Sequence, residues 1–228
     1  MADPGELIAP EIKNDALYRA LQRLAGKRGV ESILEIGSSS GEGSTEAFVS
    51  AIRSLRRKPK LFCLEISQPR FEKLAAAYRD DEFVECYRSS SVPLESFPSE
   101  EEVAAFHRSG VSHLNQYPLE TVLGWLKADK DYLASAGVPA DGIARIRSEH
   151  GIGRFDVVLI DGSEFTAAAE LELVYGARWI ALDDIMTYKN FASYRRLAAD
   201  AQYELVEENK YLRNGYAIFR KREDEAAG

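Results

Sequence analysis

Three acidic residues follow two apolar runs in the second half of the chain. Asp161 ends the run Phe155–Ile160, and Asp183 and Asp184 end the run Arg178–Leu182. Short runs with β-branched residues are typical of strands buried on both faces, and the Ala- and Leu-rich segment between them predicts a crossover helix. Parallel strands gather the three acids at the carboxyl edge of the sheet, where open α/β sheets bind ligands. Like charges this close need a balancing cation, and a divalent metal ion is the obvious candidate.

A glycine-rich turn separates another apolar run from a helical pattern. Gly37, Gly41 and Gly43 follow the run Ser32–Ile36. Glycines permit positive φ angles and let a ligand approach the backbone closely. The turn is not the dinucleotide fingerprint GxGxxG, because Ser39 stands in the place of the second glycine. These residues predict a ligand site, although a tight turn without any ligand fits the same pattern.

Two further acids lie beside this turn in the predicted fold. Glu35 precedes the first glycine by two residues, where a carboxylate suits a cationic or amine-bearing ligand better than a pyrophosphate. Glu65 lies at the end of the second apolar run, Leu61–Ile66. An acid at that position can accept hydrogen bonds from both ribose hydroxyls of a nucleoside. Alone, Glu65 is equally well an exposed strand-end carboxylate; beside the glycine turn, ribose binding is the better interpretation.

The rest of the chain supplies the elements that position these residues. The runs Ser32–Ile36, Leu61–Ile66 and Glu82–Tyr87 alternate with helical patterns, which predicts a doubly wound parallel sheet. The last two runs, Tyr203–Glu208 and Tyr216–Arg220, are too close together for a crossover helix. They predict an antiparallel hairpin at the end of the sheet. A helix around residues 15–27 is expected to cover one edge of the sheet.

Residues 92–154 interrupt the alternation between strands 3 and 4. This segment has no strong strand pattern, but Leu119, Val122, Leu123 and Leu126 follow helical spacing. A structureless loop of this length would be unusual in a compact domain. We therefore predict a helical, lid-like insertion within a single domain of residues 1–228, folded over the carboxyl edge with its inner face near Leu119 to Trp125.

Composition limits the class of partner. Hydrophobic residues make up 45% of the 228 residues and charged residues 29%, which is ordinary for a soluble globular protein. The formal net charge of −8 argues against nucleic-acid or anionic-membrane binding, since both need a positive field. We find no apolar run of membrane-spanning length and no signal-peptide pattern, so a cytoplasmic location is expected. Self-association is left open.

Four segments together resemble the class I S-adenosylmethionine-dependent methyltransferases: ILEIGSSSGEGST, LFCLEIS, DVVLIDGSE and WIALDD, with the closing hairpin. The resemblance covers most of the chain except the insertion. It implies an α/β, Rossmann-like, doubly wound seven-stranded sheet whose last strand is antiparallel. S-Adenosyl-L-methionine would lie over the glycine turn, with its ribose on Glu65 and its adenine near Ser89 and Ser90. The implied cofactor-binding residues are Glu35, Gly37, Ser38, Ser39, Gly41, Ser44, Glu65, Ser89, Ser90, Asp161 and Gly162.

Within that superfamily, the acids resemble those of the metal-dependent small-molecule O-methyltransferases. These enzymes place an aspartate after strand four and an Asp-Asn or Asp-Asp pair after strand five. The matching metal ligands here are Asp161, Asp183 and Asp184, whose hard oxygens suit Mg²⁺. The metal would bind the acceptor hydroxyl, lower its pKa and aim its oxygen at the methyl carbon. The other interpretation is that Asp161 binds cofactor and the aspartate pair caps a loop.

The general base is the position where the chain departs from these relatives. They often carry a lysine or histidine three residues after the first aspartate, and this chain has Glu164 there. Glu164 can accept the hydroxyl proton, or it can bind the metal or the acceptor. Glu164 and Asp161 are the predicted catalytic residues. Further candidates for the acceptor pocket are His107, His113, Tyr188, Lys189 and Asn190.

The sequence therefore predicts an S-adenosylmethionine-dependent methyltransferase that methylates a hydroxyl of a small molecule, such as a sugar or natural product, with help from Mg²⁺. One alternative is a metal-independent enzyme of the same fold that methylates nitrogen or a protein. Another is a dinucleotide-binding oxidoreductase, against which the missing GxGxxG and the terminal hairpin argue. The third is a catalytically silent domain that binds a nucleoside or a partner.

Overall fold

A single seven-stranded sheet organises the molecule. The computed structural model describes residues 6–110 and 112–222. Its strands are β1 (Ser32–Ile36), β2 (Lys60–Glu65), β3 (Val84–Arg88), β4 (Val157–Ile160), β5 (Trp179–Asp183), β6 (Tyr203–Asn209) and β7 (Tyr216–Lys221). Their order across the sheet is β3-β2-β1-β4-β5-β7-β6. Strands β1 to β5 pair in parallel, and β7 is antiparallel to both β5 and β6. The predicted Rossmann-like sheet with an antiparallel hairpin is confirmed.

Eight α-helices accompany the strands in the described residues. They are α1 (Ala16–Ala25), α2 (Ser44–Arg53), α3 (Gln68–Tyr78), α4 (Glu100–Arg108), α5 (Leu119–Ser135), α6 (Gly142–His150), α7 (Ala167–Val174) and α8 (Tyr188–Ala199). Local sequence sets several of their ends. Ser99 and Glu102 form a capping box that starts α4, and Gly151 ends α6 in the left-handed conformation. None of the described helices is long and apolar enough to cross a bilayer.

Helices cover both faces of the sheet, which explains the continuous apolar character of its central strands. Every residue of β4 and of β5 is buried. On one face, Leu21 of α1, Phe48 of α2 and Leu74 of α3 join one apolar core. On the other face, Ile146 of α6 and Leu171 of α7 join a second core. Helix α1 thus lies on a face of the sheet and not at an edge, because its apolar side chains pack against the strands together with α2.

The helical insertion predicted between strands 3 and 4 is confirmed, and its parts pack in two different ways. Helices α4 and α5 and a short 3-10 helix at His113–Gln116 build a third apolar cluster with Phe165, which follows β4. Helix α6 instead packs on the sheet through Ile143 and Ile146. The last of the three predicted helical pieces therefore belongs to the helical layer of the sheet, and α4 and α5 form a separate unit beside it.

The turn after β1 depends on one glycine. Gly37 has a φ of 86°, and its N–H donates to the Leu64 carbonyl at 3.0 Å. A Cβ atom at this position would lie 2.2 Å from the carbonyl oxygen of Asp161. Only glycine therefore allows the chain leaving β1 to approach the chain leaving β4 this closely.

We expect Gly37→Ala to lower the free energy of unfolding by about 2 kcal/mol or more, because it adds a clash with backbone to an unfavourable φ. Gly151→Ala is the matched control, since Gly151 has a φ of 62° and no heavy atom within 4 Å of the added Cβ. The control should cost about 1 kcal/mol, from backbone strain alone. Denaturant unfolding measures both variants, and equal losses would contradict the steric explanation.

Candidate active site

A cavity of about 430 Å³ opens at the carboxyl edge of the sheet. Residues that follow each of the five parallel strands contribute to its wall, so it lies where the order of the strands predicts a ligand site. Most of the predicted site residues line it: Gly37, Ser38, Ser39, Ser44, Glu65, Ser89, Ser90, Asp161, Gly162, Glu164, Asp183 and Asp184. Two predicted residues, Glu35 and Gly41, do not line it.

Glu35 lies behind the glycine turn and holds it in place. Its side chain is fully buried, and its Oε2 accepts hydrogen bonds from the hydroxyls of Ser38 and Thr45, both at 2.7 Å. These bonds tie the turn to the first turn of α2. Gly41 likewise faces away from the cavity, and its carbonyl accepts a hydrogen bond from the hydroxyl of Tyr78 on α3. Neither residue lines the cavity, and the direct contact with a ligand that the sequence predicts stays a prediction.

Glu65 is fixed at the cavity wall by two backbone hydrogen bonds. Its Oε2 accepts from the Ser39 N–H at 2.8 Å and its Oε1 from the Ser67 N–H at 2.7 Å. Burial raises the pKa of this carboxyl above its usual value, although the backbone donors oppose that effect. Each carboxylate oxygen has a further lone pair, so the group can accept two more hydrogen bonds without moving.

Ser89 and Ser90 join the end of β3 to the segment before α6. The Ser89 hydroxyl and the Ser90 N–H both donate to the carbonyl of Pro139, at 2.8 and 2.9 Å. The Ser90 hydroxyl donates to the Val92 carbonyl at 2.7 Å. Both hydroxyls are therefore occupied by the protein backbone, and the two serines shape the cavity wall.

The three aspartates converge as predicted. One carboxylate oxygen from each of Asp161, Asp183 and Asp184 lies within 4.8 Å of the other two. Basic side chains are in contact with all three. The Nζ atom of Lys189 lies 2.9 Å from Asp161 Oδ1 and 2.7 Å from Asp184 Oδ2, and Arg213 Nη1 lies 2.6 Å from Asp183 Oδ2. One oxygen each of Asp183 and Asp184, Oδ1 in both, is buried without a partner among the described residues.

Burial and mutual charge shift the pKa values in this cluster. Burial raises the pKa of Asp161 and of Asp183, and the neighbouring acids add to the effect. Burial also acts on Asp184, but the Lys189 ammonium outweighs it and holds the pKa of Asp184 below its usual value. For Lys189, burial lowers the pKa, and the carboxylates of Asp161 and Asp184 outweigh burial and raise it well above the usual value. Lys189 is therefore a cation in this site at neutral pH.

The start of α8 is clamped to the ends of β4 and β5. The Asn190 side chain donates to the carbonyls of Ile160 and Asp183, at 2.9 and 2.6 Å. One residue earlier, the Lys189 N–H donates to Glu164 Oε1 at 3.1 Å. Glu164 is 8% exposed and lines the cavity, and burial raises its pKa. Of the candidates that follow the aspartate pair, Lys189 lines the cavity. Asn190 positions Lys189 by fixing the start of α8.

Three of the weaker candidates lie away from the cavity. His107 contacts the Tyr117 carbonyl at 2.9 Å through Nε2, within the insertion. His113 contacts the Asn214 side chain at 3.4 Å. Tyr188 packs against the third apolar cluster. These contacts lie within the insertion or join it to the turn before β7 and to α8. Among the described residues that line the cavity, Glu164 and Lys189 are the titratable groups next to the aspartates.

Comparisons with known proteins find solved structures that share this fold. No family model matches the chain, and no curated protein matches it. Among solved structures, cofactor-bound Rv0187 from MTB is 16% identical with a TM-score of 0.57, and the match covers 97% of this chain and 86% of that one. An O-methyltransferase from Bacillus cereus, solved in complex with SAH, is 14% identical with a TM-score of 0.57, covering 95% and 84%. A methyltransferase from Geobacter sulfurreducens is 12% identical with a TM-score of 0.54, covering 92% and 80%.

The chain has the fold of the class I methyltransferases. The strand order and the antiparallel β7 agree with the resemblance that the four sequence segments suggested. At identities of 12–16% this likeness is one of fold.

Helix α5 brings side chains to the cavity that the sequence did not indicate. Asp129, Tyr132 and Leu133 line it, and Asp129 Oδ2 accepts a hydrogen bond of 2.5 Å from the Ser163 hydroxyl. The part of α5 near Leu119 to Trp125, where we expected the inner face, does not line the cavity. Its residue Val122, together with Leu126, packs into the third apolar cluster instead. The spacing of the three lining residues by three and four positions is the signal that would have found them.

The amino-terminal segment also lines the cavity, through residues 8–12. The Arg70 guanidinium on α3 donates to the Glu6 carbonyl at 2.7 Å and so ties this segment down. The segment has neither helical nor alternating periodicity, so nothing in its sequence indicates this position.

Glu170 is the third feature that sequence reasoning missed. It is fully buried on α7 and lines the cavity. Its Oε1 accepts hydrogen bonds from the hydroxyls of Ser91 and Thr166, at 2.6 and 2.8 Å, and burial raises its pKa. Its Oε2 is buried without a partner in the described part of the chain. An acid at helical spacing from the buried Ala167 and Val174, beside Leu171, is the sequence signal for such a residue.

We expect Glu170→Gln to gain stability relative to wild type as the pH rises. A raised folded-state pKa contributes stability below the ordinary value of 4.5, and that stability is lost as the pH rises through the folded-state pKa. The amide cannot ionise, so the difference grows by up to about 1.4 kcal/mol per pH unit over that range. Denaturant unfolding at pH 4 to 8 measures it. Glu172→Gln, on the exposed side of α7, is the control, and a parallel response of the two variants would contradict the burial effect.

Proposed function

We propose that this protein transfers the methyl group of S-adenosylmethionine to a hydroxyl oxygen of a small molecule. The observation that carries the proposal is the position of Glu65. It stands at the end of β2, held by the glycine turn, on the same cavity wall that reaches the aspartate cluster. A nucleoside bound by its ribose at Glu65 would extend its sulfonium end toward the turn and the acids. The Bacillus cereus neighbour, an O-methyltransferase in complex with SAH, supports this assignment.

The size and shape of the cavity suit a donor and a small acceptor together. Its volume of about 430 Å³ lies within the range of about 300–1,000 Å³ that is usual for small-molecule sites. Residues of the amino-terminal segment and of α5 line it as well as the strand ends. A hydroxyl acceptor would enter beside the aspartates. The formal net charge of −8 continues to argue against a nucleic-acid acceptor, and a cytoplasmic location remains a prediction.

The reaction is a displacement at the methyl carbon. The acceptor oxygen forms a bond to that carbon while the bond from carbon to sulfur breaks, and the electron pair stays on sulfur. The hydroxyl proton passes to a carboxylate of the protein. Glu164 is our candidate for that base, because it lines the cavity and burial raises its pKa, which makes it a better proton acceptor than an ordinary glutamate. Since the sulfonium is already activated, aligning the oxygen with the methyl carbon supplies much of the catalysis.

Magnesium is the part of the sequence prediction that the side chains do not fit. The carboxylate oxygens have the chemistry that Mg²⁺ prefers, and two of them are buried without a partner. However, the Lys189 ammonium already lies between Asp161 and Asp184, and Arg213 contacts Asp183. A metal ion held by all three aspartates would have to displace that ammonium. We therefore derive no step through a metal.

We expect S-adenosylmethionine and its demethylated product to bind with micromolar dissociation constants in calorimetry, and NAD not to bind. Glu65→Ala should weaken binding by about 1–3 kcal/mol, because the ribose hydroxyls lose their acceptor. Glu72→Ala, on the exposed side of α3, is the matched control and should bind like wild type. Equal affinity of the Glu65→Ala variant and wild type would remove Glu65 from the site.

Methyl transfer itself is tested with S-adenosylmethionine carrying a labelled methyl group and a panel of sugars and other hydroxylated small molecules. We expect label in methyl ethers. Label recovered only on amines or on protein would favour the metal-independent N- or protein methyltransferase of the same fold. Binding of S-adenosylmethionine without any transfer across the panel would favour a domain that binds the nucleoside without catalysis.

We also propose that the helical insertion within residues 92–154 acts as a lid through α5. Asp129, Tyr132 and Leu133 line the cavity, so a bound cofactor should slow amide hydrogen exchange in α5. Exchange measured by mass spectrometry with and without cofactor checks this. Exchange at the buried strand β4 reports any global stabilisation by the cofactor, and protection in α5 should exceed it. Unchanged exchange in α5 would make the insertion a surface element.

A further inference from the structure

Lys189 is the one basic side chain of the described chain that links two of the three aspartates. Its Nζ atom lies 2.9 Å from Asp161 and 2.7 Å from Asp184. The side chain is 11% exposed and lines the cavity. A lysine this deeply buried needs charged partners, since desolvation of an unpaired ammonium is costly. The aspartates therefore hold the Lys189 side chain in place, unlike the side chain of a solvent-exposed lysine.

The backbone delivers Lys189 to this position. Asp184 has a φ of 57°, in the left-handed region that few residues other than glycine adopt. The Thr187 N–H and hydroxyl both donate to the Asp184 carbonyl, at 3.3 and 3.2 Å. This tight turn returns the chain so that Lys189, five residues on, reaches the Asp184 carboxylate. Asn190 then fixes the start of α8 to the carbonyls of Ile160 and Asp183.

The ammonium takes the oxygens that a metal ion would need. Mg²⁺ binds carboxylate oxygens at about 2.0–2.1 Å and demands near-octahedral geometry. Lys189 lies between one oxygen of Asp161 and one of Asp184, and Arg213 pairs with one of Asp183. An ion drawn to the same three carboxylates would compete with the ammonium for space and would be repelled by its charge. The lysine and the three-aspartate metal site are therefore alternatives.

One N–H of the ammonium is left for a ligand. Lysine has three donors, and among the described residues Asp161 and Asp184 take two of them. Because Lys189 lines the cavity, the third can reach an acceptor oxygen there. Glu164 lines the same cavity and contacts the Lys189 backbone, and its carboxylate can accept the hydrogen bond of a hydroxyl. A hydroxyl group, which donates and accepts, matches this pair of functions.

We propose that Lys189 takes the place of the metal ion in this site and binds the acceptor oxygen of the methyl transfer. This inference rests on the proposed function. The Lys189 N–H would hold the oxygen so that a lone pair faces the methyl carbon. As the oxygen–carbon bond forms and the carbon–sulfur bond breaks, the hydroxyl proton passes to Glu164, and the ammonium stabilises the negative charge that develops on oxygen. The electron pair released from carbon stays on sulfur.

The test compares manganese(II) binding by wild type, Lys189→Ala and Lys189→Met, each saturated with the demethylated cofactor. Free Mn²⁺ is measured by electron paramagnetic resonance. We expect the two variants to bind Mn²⁺ at least about ten-fold more tightly than wild type, because removal of the ammonium frees the aspartates for the ion. Lys127→Ala, which removes an exposed lysine from α5, is the control and should bind Mn²⁺ like wild type. Manganese binding by wild type that is as tight as in the variants would overturn the proposal.

Two variants are used because they differ in the space they leave. Lys189→Met keeps the apolar stem of the side chain, whereas Lys189→Ala leaves a cavity beside buried acids. Thermal unfolding identifies any variant that fails to fold. With a hydroxyl acceptor, wild type should keep its methyl-transfer rate in EDTA, and both variants should lose about 100-fold or more. Loss of wild-type activity in EDTA that Mg²⁺ restores would also overturn the proposal. Failure of wild type to bind S-adenosylmethionine would instead overturn the proposed function, and the manganese comparison, repeated without the demethylated cofactor, still decides whether Lys189 excludes the ion.

Discussion

The contact of Lys189 with Asp161 and Asp184 is the interaction on which the acidic end of the cavity depends. Parallel strands bring carboxylates together at one edge, and each carboxylate taken out of water needs a partner. Here the partners come from two places, Lys189 on α8 and Arg213 in the turn before β7. Arg213 also pairs with Asp15 at the cap of α1, at 3.0 Å. The cluster thereby connects the two neighbouring strands to the first helix and to the terminal hairpin.

The order of the strands decides which halves of the site meet. Strand β1 pairs with both β2 and β4, so the glycine turn leaves the sheet between the strand that carries Glu65 and the strand that ends at Asp161. This is the point at which the direction of winding reverses, where open α/β sheets form their crevice. Gly37 lets the two chain segments approach to contact at that point. The wall that carries Glu65 and the aspartate cluster consequently belong to one cavity.

The segments outside the sheet complete the cavity. Helix α5 reaches it with Asp129 and Tyr132 while its apolar residues Val122 and Leu126 pack against Phe165. Because Phe165 directly follows the loop that carries Glu164, the packing of the insertion and the position of the candidate base are coupled. The amino-terminal residues 8–12 form part of the wall from the opposite end of the chain. The cavity is thus bounded in part by elements that do not belong to the sheet.

The sequence by itself determined the sheet and the residues at its carboxyl edge. Continuous apolar runs ending in Asp161 and Asp183 identify buried parallel strands, because only strands covered on both faces have that composition. The spacing of the runs Tyr203–Glu208 and Tyr216–Arg220 identifies the hairpin, because no helix fits between them. Glycines after a strand and an acid at the end of the next strand likewise predict a ligand site at the edge where the structure has its cavity. These are short-range patterns, and each refers to one element and its neighbour.

Only the tertiary structure decided what balances the acids and which residues face the ligand. Lys189 reads in sequence as one polar residue at the start of a helix, and only the left-handed turn at Asp184 and the clamp made by Asn190 direct its ammonium to Asp161. Glu35 carries the same acidic signal as Glu65, yet Ser38 and Thr45 hold it behind the turn. The sequence gives the charge and polarity of each residue. Which cation pairs with which carboxylate depends on contacts between residues that are far apart in the chain.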